Sequence, residues 1–263
     1  MIDKSEKFTW LVRTGYFSRA LFYTTLGSIA LTNAPEMSGG MDSFFEAINT
    51  LPGGDALLWV MAVGMMGYAL FRLCSPLFDI EHEGSDAHGW GKRIGHAGSA
   101  IGHLVLAWSA YRLAGADMDG GGTNTHAAVA GVLSINLGGA AIGLLGLAFF
   151  LAALAQAKKG LSGSFMAKIS ASAPAATRWL GGAGYLARAA VFAVIGWSLV
   201  ETGLLSGDAD GVMTLADAVA WLAQYGLVFQ LVAGGLLLFG LFSFVLARYR
   251  IIPDLGDHID RQR

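Results

Sequence analysis

Disulfide chemistry is the first thing this chain excludes. It holds one cysteine, Cys74, so neither an intrachain bridge nor a Cys-x-x-Cys metal or redox motif can form. Cys74 closes an apolar run and reads as a small packing residue. Charge is also scarce. Asp, Glu, Lys and Arg make up 14% of the 263 residues, against about 25% in a soluble domain, so this is not a surface that faces water. The net charge of −2 supplies no field to recruit nucleic acid. Prolines number 5 and glycines 37, a balance that argues for close helix packing in lipid. Gly-x-Ser-x-Gly, His-Glu-x-x-His, a Walker loop and a carboxylate pair within an apolar stretch are all missing. The expectation is a protein that is not an enzyme, with no catalytic residue, resident cofactor or bound metal.

What the chain does have is apolar length. Hydrophobic residues are 54% of the total and the mean hydropathy is +0.55. Apolar stretches lie near residues 12–32, 56–76, 94–113, 132–156, 180–203 and 226–247. Each has about 20 residues, enough for a helix to cross roughly 30 Å of hydrocarbon. Helix is the backbone they need, because a lone strand would leave its amides unpaired in lipid. Lys4 and Lys7 before the first run, with Ser28-Ile29-Ala30 after it, resemble a cleavable leader. The same segment recurs twice downstream, so the first run reads as a retained span. The fold class expected is all-α, a polytopic membrane protein forming a single domain over residues 1–263.

The connections set the orientation. The loops at Thr32–Asp55, Ala114–Gly131 and Thr202–Tyr225 carry Glu36, Asp42, Glu46, Asp55, Asp117, Asp119, Asp208, Asp210 and Asp217, and no Lys or Arg. The opposite ends carry Lys4, Lys7, Arg13, Arg72, Lys92, Arg93, Lys158, Lys159, Lys168, Arg178, Arg248 and Arg250. Arg112 is the main exception. The positive-inside rule puts both termini in the cytoplasm. In the outer loops, Phe44, Phe45 and Ile48, and again Leu215, Ala218, Val219 and Leu222, fall at helical spacing. They read as short amphipathic helices, either lying in the interface or capping the bundle. Gly120-Gly121-Gly122 reads as a turn, because no basic residue accompanies it.

The spans repeat in pairs. Trp10, Trp90 and Trp179 each open a pair, 80 and then 89 residues apart. After them come Gly15-Tyr16, Arg19-Ala20, Tyr23 and Gly27; then Gly95-His96, Ser99-Ala100, His103 and Ala107; then Gly184-Tyr185, Arg188-Ala189, Phe192 and Gly196. The second helices align more loosely, through Gly67 and Phe71, Gly146 and Phe150, and Gly240 and Phe244. The units are residues 10–78, 90–159 and 179–250. All three enter from the same side, so they are parallel repeats, expected around a pseudo-threefold axis along the membrane normal.

Gly84-Ser85-Asp86-Ala87-His88-Gly89 through Arg93-Ile94-Gly95-His96 to Tyr111-Arg112-Leu113, together with the two Gly-Tyr-x-x-Arg-Ala openings, resembles the bacterial domain of unknown function 1206 family. That family carries three tandem helix pairs. The resemblance covers nearly the whole chain, which departs from the family pattern at His88, His96 and His103. It implies a six-helix protein of the bacterial inner membrane with no assigned activity.

The candidate site lies on the first helices. On a 100°-per-residue wheel Tyr16, Arg19, Tyr23 and Gly27 share a narrow sector, as do Tyr185, Arg188, Phe192 and Gly196, and His96, Ser99, His103 and Ala107. Charged residues within spans usually face the bundle interior, and no Asp or Glu lies deep in any span. Arg19 and Arg188 must therefore meet carbonyls, hydroxyls, Asp79 or Glu81, or an anion or lipid headgroup, unless they snorkel to the interface. His96 and His103 lie about 10 Å apart along one face. They invite a haem or proton-relay reading, although drift from Tyr16 and Tyr23 explains them equally. The run from Asp79 to His88 has carboxylates and imidazoles suited to a metal, but a solvated acidic loop is its default. Gly91, Gly95, Gly98 and Gly102 form one smooth face, and Gly139 and Gly143 another, for helix contact within the bundle or between protomers.

Three functions are consistent with these residues. One is a non-enzymatic protein that packs with membrane lipid, a membrane-protein partner or a second copy. Another is a small transporter or channel for an ion or anionic solute. The last is a haem-bearing redox subunit.

Overall fold

In the computed structural model, residues 4–33, 40–78, 86–114 and 125–252 are described. They form nine α-helices: α1 (Lys4–Asn33), α2 (Gly40–Asn49), α3 (Gly54–Phe78), α4 (Ala87–Ala114), α5 (Thr125–Leu133), α6 (Gly138–Ser162), α7 (Thr177–Val200), α8 (Leu215–Leu222) and α9 (Leu227–Tyr249). A π-helical turn, Glu201–Ser206, prolongs α7. Among the described residues no strand occurs, only an isolated antiparallel bridge between Ile169 and Arg250.

Among the described residues, four helices are long and apolar enough to cross a membrane: α3 over Gly54–Cys74, α6, α7 with its π turn over Thr177–Ser206, and α9. α1 and α4 equal them in length, with 30 and 28 residues, but carry the polar stripes. The outside of the bundle is apolar. Leu144, Leu151 and Leu154 on α6, Ile94 and Ile101 on α4, Val63 on α3 and Leu231 on α9 are all exposed. A soluble monomer rarely shows so wide an apolar face, whereas hydrocarbon solvates it. Trp10, Trp90 and Trp179 point outward at the basic end, the belt position of amphipathic rings.

The long helices pack in the order α4, α3, α1, α9, α7, α6. α4 and α6, consecutive long helices in the chain, stand at the two ends of this order and share no packed interface. The closest approaches run through glycine. A Cβ on Gly15 would stand 2.7 Å from the Tyr68 Cβ and 2.8 Å from its Cα, and one on Gly184 would stand 2.7 Å from the Phe239 Cα. These contacts join α1 to α3 and α7 to α9 backbone to backbone. They also correct the register expected for the second helices. Tyr68 is the counterpart of Phe239, and Gly64, against Ser18, is the counterpart of Gly235, against Ala187. The Gly67–Gly240 alignment is therefore out by two residues.

The short helices cap the bundle rather than lie beside it. On α2, Phe44, Phe45 and Ile48 are fully buried, with Phe22 of α1 at 5.4 and 6.3 Å from the two rings. Burial of each such side chain stabilises by about 1.5–3 kcal/mol. α8 buries Ala216, Ala218, Val219 and Leu222. It opens on a capping box, in which the Thr214 amide donates to Asp217 Oδ2 at 2.8 Å and the Asp217 amide to Thr214 Oγ1 at 3.4 Å.

The fourth apolar stretch differs from its expected bounds. It is interrupted at Ser134–Leu137, and α6 begins only at Gly138. Leu137 has φ 67°, the one positive value at a described non-glycine residue, and Gly138 lies against the Val132 carbonyl where a Cβ has no room. The piece before the turn is α5, with no fully buried residue. The Asp79–Glu83 carboxylates and Gly120–Gly122 lie outside the described residues.

Candidate functional site: an arginine pair caged by aromatic rings

Arg19 does not snorkel. It is 4% exposed, because α1 lies between α3 and α9 and both cover its side chain. Its Nη1 donates to the Tyr68 hydroxyl at 2.9 Å and its Nε to Ser243 Oγ at 3.2 Å. Ser243 in turn donates to the Phe239 carbonyl at 2.8 Å. The Tyr68 oxygen also accepts from Arg72 Nε at 2.9 Å, so one phenol serves two cations. The Arg19 guanidinium lies 4.6 Å from the Tyr16 ring centre, 5.2 Å from Tyr68 and 5.0 Å from Phe239.

Arg188 is half-buried and repeats the arrangement on α7. Its guanidinium lies 4.7 Å from the Phe239 ring centre, 4.9 Å from Phe192 and 5.4 Å from Tyr23. Both arginines thus flank Phe239. Their charges lie within about 10 Å of each other, one Debye length at 0.1 M salt, but in a setting with little salt to screen them. Neither makes an ion pair among the described residues. A buried cation without a counter-charge costs several kcal/mol. A desolvated cation–π contact returns about 2 kcal/mol, and a hydrogen bond from a charged donor about 1.5–3 kcal/mol. The cage therefore offsets the burial of each cation without neutralising it. Three buried polar groups on these stripes have no hydrogen-bond partner: Arg19 Nη2, the Tyr16 hydroxyl and Arg188 Nε.

The other expected residues fall nearby. Tyr23 is buried, 4.9 Å from the Phe239 ring, and Tyr185 stands 5.5 Å from the same ring. His103 is buried on α4, its ring 4.5 Å from Tyr68, with Nδ1 2.7 Å from the Ser99 carbonyl. That fixes Nδ1 as the donor and ties the third stripe to the cluster through Tyr68. Ser99 contributes this carbonyl, and His96 is half-buried one helical turn towards the basic end. Among the described residues no three His, Cys, Asp or Glu side chains group as metal ligands. Tyr68, Arg72, Phe239 and Ser243 are site residues that the first-helix stripes did not reveal. The signal for them was available in the Tyr68-x-x-x-Arg72 spacing and in the lone hydroxyl of Ser243 within an apolar span.

The glycine faces diverge. Gly139 and Gly143 meet the π turn: a Cβ on the first would stand 2.6 Å from the Gly203 carbonyl, and on the second 2.5 Å from Leu204 Cγ. Gly91, Gly95, Gly98 and Gly102 have nothing within 4 Å of a Cβ position. Their expected contact inside the bundle is not made, because α6 lies at the far end of the packing order.

The pattern described as Domain of Unknown Function (DUF1206) matches residues 14–77 and again residues 183–250. A Bacillus subtilis (strain 168) protein, named "Uncharacterized protein YxxB", is 31% identical over 260 aligned residues, covering 94% of each chain. The chain belongs to the DUF1206 family. No solved structure matches it. The two matched stretches coincide with the α1–α3 and α7–α9 pairs. They contain Tyr16, Arg19, Tyr68, Arg72, Arg188, Phe239 and Ser243, while His96, Ser99 and His103 fall between them.

Proposed function

We propose that this family member is a non-enzymatic protein of the bacterial inner membrane, with six spans and cytoplasmic termini, whose caged arginines hold the phosphate of an anionic lipid. The observation that carries the reading is the trio of orphaned buried groups, Arg19 Nη2, Tyr16 OH and Arg188 Nε. All three are able to donate, and two belong to cations without a counter-charge. An unsatisfied buried group calls for an occupant, and an anion meets both the hydrogen-bond and the charge deficit. The cytoplasmic assignment follows from the cation-free loops at the other end.

The six-span, three-pair reading has its own support. Each of α1 and α7 packs between its own second helix and a second helix of another pair, and α4 packs on α3. A ring of three like pairs makes this pattern when it is opened between α4 and α6. Each pair also carries a short helix, α2, α5 or α8, at its acidic end. A transporter would need an open path, whereas Tyr23, Phe239 and Tyr185 stack edge to face between α1, α9 and α7. A haem subunit would need a histidine facing a cofactor, whereas the His103 ring rests on Tyr68. The bare face of Gly91, Gly95, Gly98 and Gly102 suits a second copy or a partner helix.

Native mass spectrometry of protein purified from membranes containing phosphatidylglycerol tests the lipid site. Bound phosphatidylglycerol should survive delipidating washes in the wild type and fall at least tenfold in Arg19→Leu/Arg188→Leu, with helix content unchanged. Equal retention in both proteins would remove the site.

A further inference from the structure

A second arginine cluster lies outside this cage. A cavity of about 380 Å³ opens at the basic end, lined by Arg13 of α1, Ser170 and Ser172 of the α6–α7 connection, and Arg248, Tyr249, Arg250 and Ile251 at the end of α9. Three arginines and three hydroxyl-bearing residues, Ser170, Ser172 and Tyr249, line one space, and no carboxylate is among the described lining residues.

The walls are held in place. The Ile169–Arg250 bridge is flanked by main-chain bonds from the Ser170 amide to the Tyr249 carbonyl at 2.9 Å and from the Ile251 amide to the Lys168 carbonyl at 3.0 Å. Ser170 Oγ stands 2.9 Å from Ser172 Oγ and accepts from the Ser172 amide at 3.3 Å. The Arg250 guanidinium is set by the Tyr16 ring, 5.2 Å away. Two segments about 80 residues apart in the chain are thus clipped together, and the clip presents Ser170 and Arg250 side by side.

From this geometry we infer that the cavity is a binding site for a phosphate ester, distinct from the Arg19–Arg188 cage but adjoining it through the Tyr16 ring, which both Arg19 and Arg250 contact. A single arginine satisfies a carboxylate through its two parallel donors. Arginines from two elements, Arg13 on α1 and Arg248 and Arg250 at the end of α9, with hydroxyl donors beside them, fit a tetrahedral group with three free oxygens and one or two negative charges. The volume sits at the lower end of the range for small-molecule sites, larger than a bare phosphate and sufficient for a glycerol phosphate. The cavity lies where the basic helix ends meet the headgroup layer, so the ester is either a lipid headgroup or a water-soluble phosphate ester.

The test uses the full chain in phosphatidylcholine nanodiscs, with glycerol 3-phosphate titrated by calorimetry, and in parallel nanodiscs doped with phosphatidylglycerol, with lipid retention read by native mass spectrometry. Saturable binding of glycerol 3-phosphate, weakened at least tenfold by Arg13→Gln/Arg248→Gln, assigns a soluble ester. Retention of phosphatidylglycerol that this variant reduces, without glycerol 3-phosphate binding, assigns a lipid headgroup. Arg13→Lys/Arg248→Lys keeps the charge but loses the paired donors, and should weaken either ligand about threefold. It replaces the glutamine variant should that one not fold. Absence of both ligands from the wild type, or binding unchanged in every foldable variant, overturns the site. Arg188→Leu, which leaves the Tyr16 ring shared by Arg19 and Arg250 untouched, should leave glycerol 3-phosphate binding intact, so failure at the cage and failure at the cavity read out separately.

Discussion

The α1–α3 and α7–α9 pairs, which one family pattern matches, and the region of α4 and α6 between them are packed differently. In the outer pairs each first helix lies on its own second helix, with Gly15 against Tyr68 and Gly184 against Phe239. In the middle pair α4 and α6 are parted, and Gly95, the counterpart of Gly15 and Gly184, meets nothing. The charged position follows the same division. Arg19 and Arg188 are sheltered by a ring of their own second helix, Tyr68 or Phe239. α4 has no second helix to supply that shelter, and Ser99 stands at the equivalent place. Both arginines thus lie where a first helix meets its own second helix, Arg19 buried and Arg188 half-buried. The family pattern, matching residues 14–77 and 183–250, covers the closed pairs alone.

That contrast can be broken at its strongest point first. Gly184→Leu would drive a side chain into the Phe239 backbone and should cost about 3 kcal/mol or more, whereas Gly98→Leu on α4 should stay within about 0.5 kcal/mol. Unfolding in mixed detergent micelles, followed by circular dichroism, measures both, and equal losses would erase the distinction. Tyr68→Phe removes the acceptor shared by Arg19 and Arg72 and should cost about 2–3 kcal/mol; an unchanged midpoint would mean that the rings and Ser243 carry Arg19 without it. Thr214→Ala removes one side of the α8 capping box, worth about 1 kcal/mol. Amide exchange should quicken in α8 and stay as it was in α5 of the middle pair. Gly98→Ala should be neutral or stabilise by up to about 1 kcal/mol, since alanine favours helix and no neighbour is crowded. A loss there, accompanied by a lower oligomer mass, would show that the bare face of α4 is covered by a second copy.

Much of the fold was legible because lipid demands long apolar helices. α3, α7 and α9 follow from hydropathy within a few residues, whereas α6 both starts and ends six residues later than its apolar stretch, 132–156, suggested. That start was hidden because Ser134–Leu137 is apolar enough to pass as helix, while the break depends on Leu137 adopting a left-handed backbone. Tyr16, Arg19, Tyr23 and Arg188 were visible as a 3.6-residue stripe. Tyr68, Arg72 and Ser243 left only the isolated signals of their spacing and a lone hydroxyl, since they lie on the partner helices and their role depends on register. With glycines at both 64 and 67, and at both 235 and 240, the sequence offers two registers, and only the backbone approach at Gly15 and Gly184 chooses between them. The separation of α4 from α6 has no local signature either, because it is a property of how the other four long helices pack.

The turn at Glu201–Ser206 carries one more residue per coil than the helix it prolongs. Removing one of its residues would restore ordinary winding and shift the residues within the turn by one position, about 100° around the axis. Gly203 and Leu204 would then rotate away from Gly139 and Gly143, unseating the end of α6 without altering one side chain in the interface. The fit between these helices is therefore sensitive to the length of the turn as well as to the size of the glycine positions it seats against.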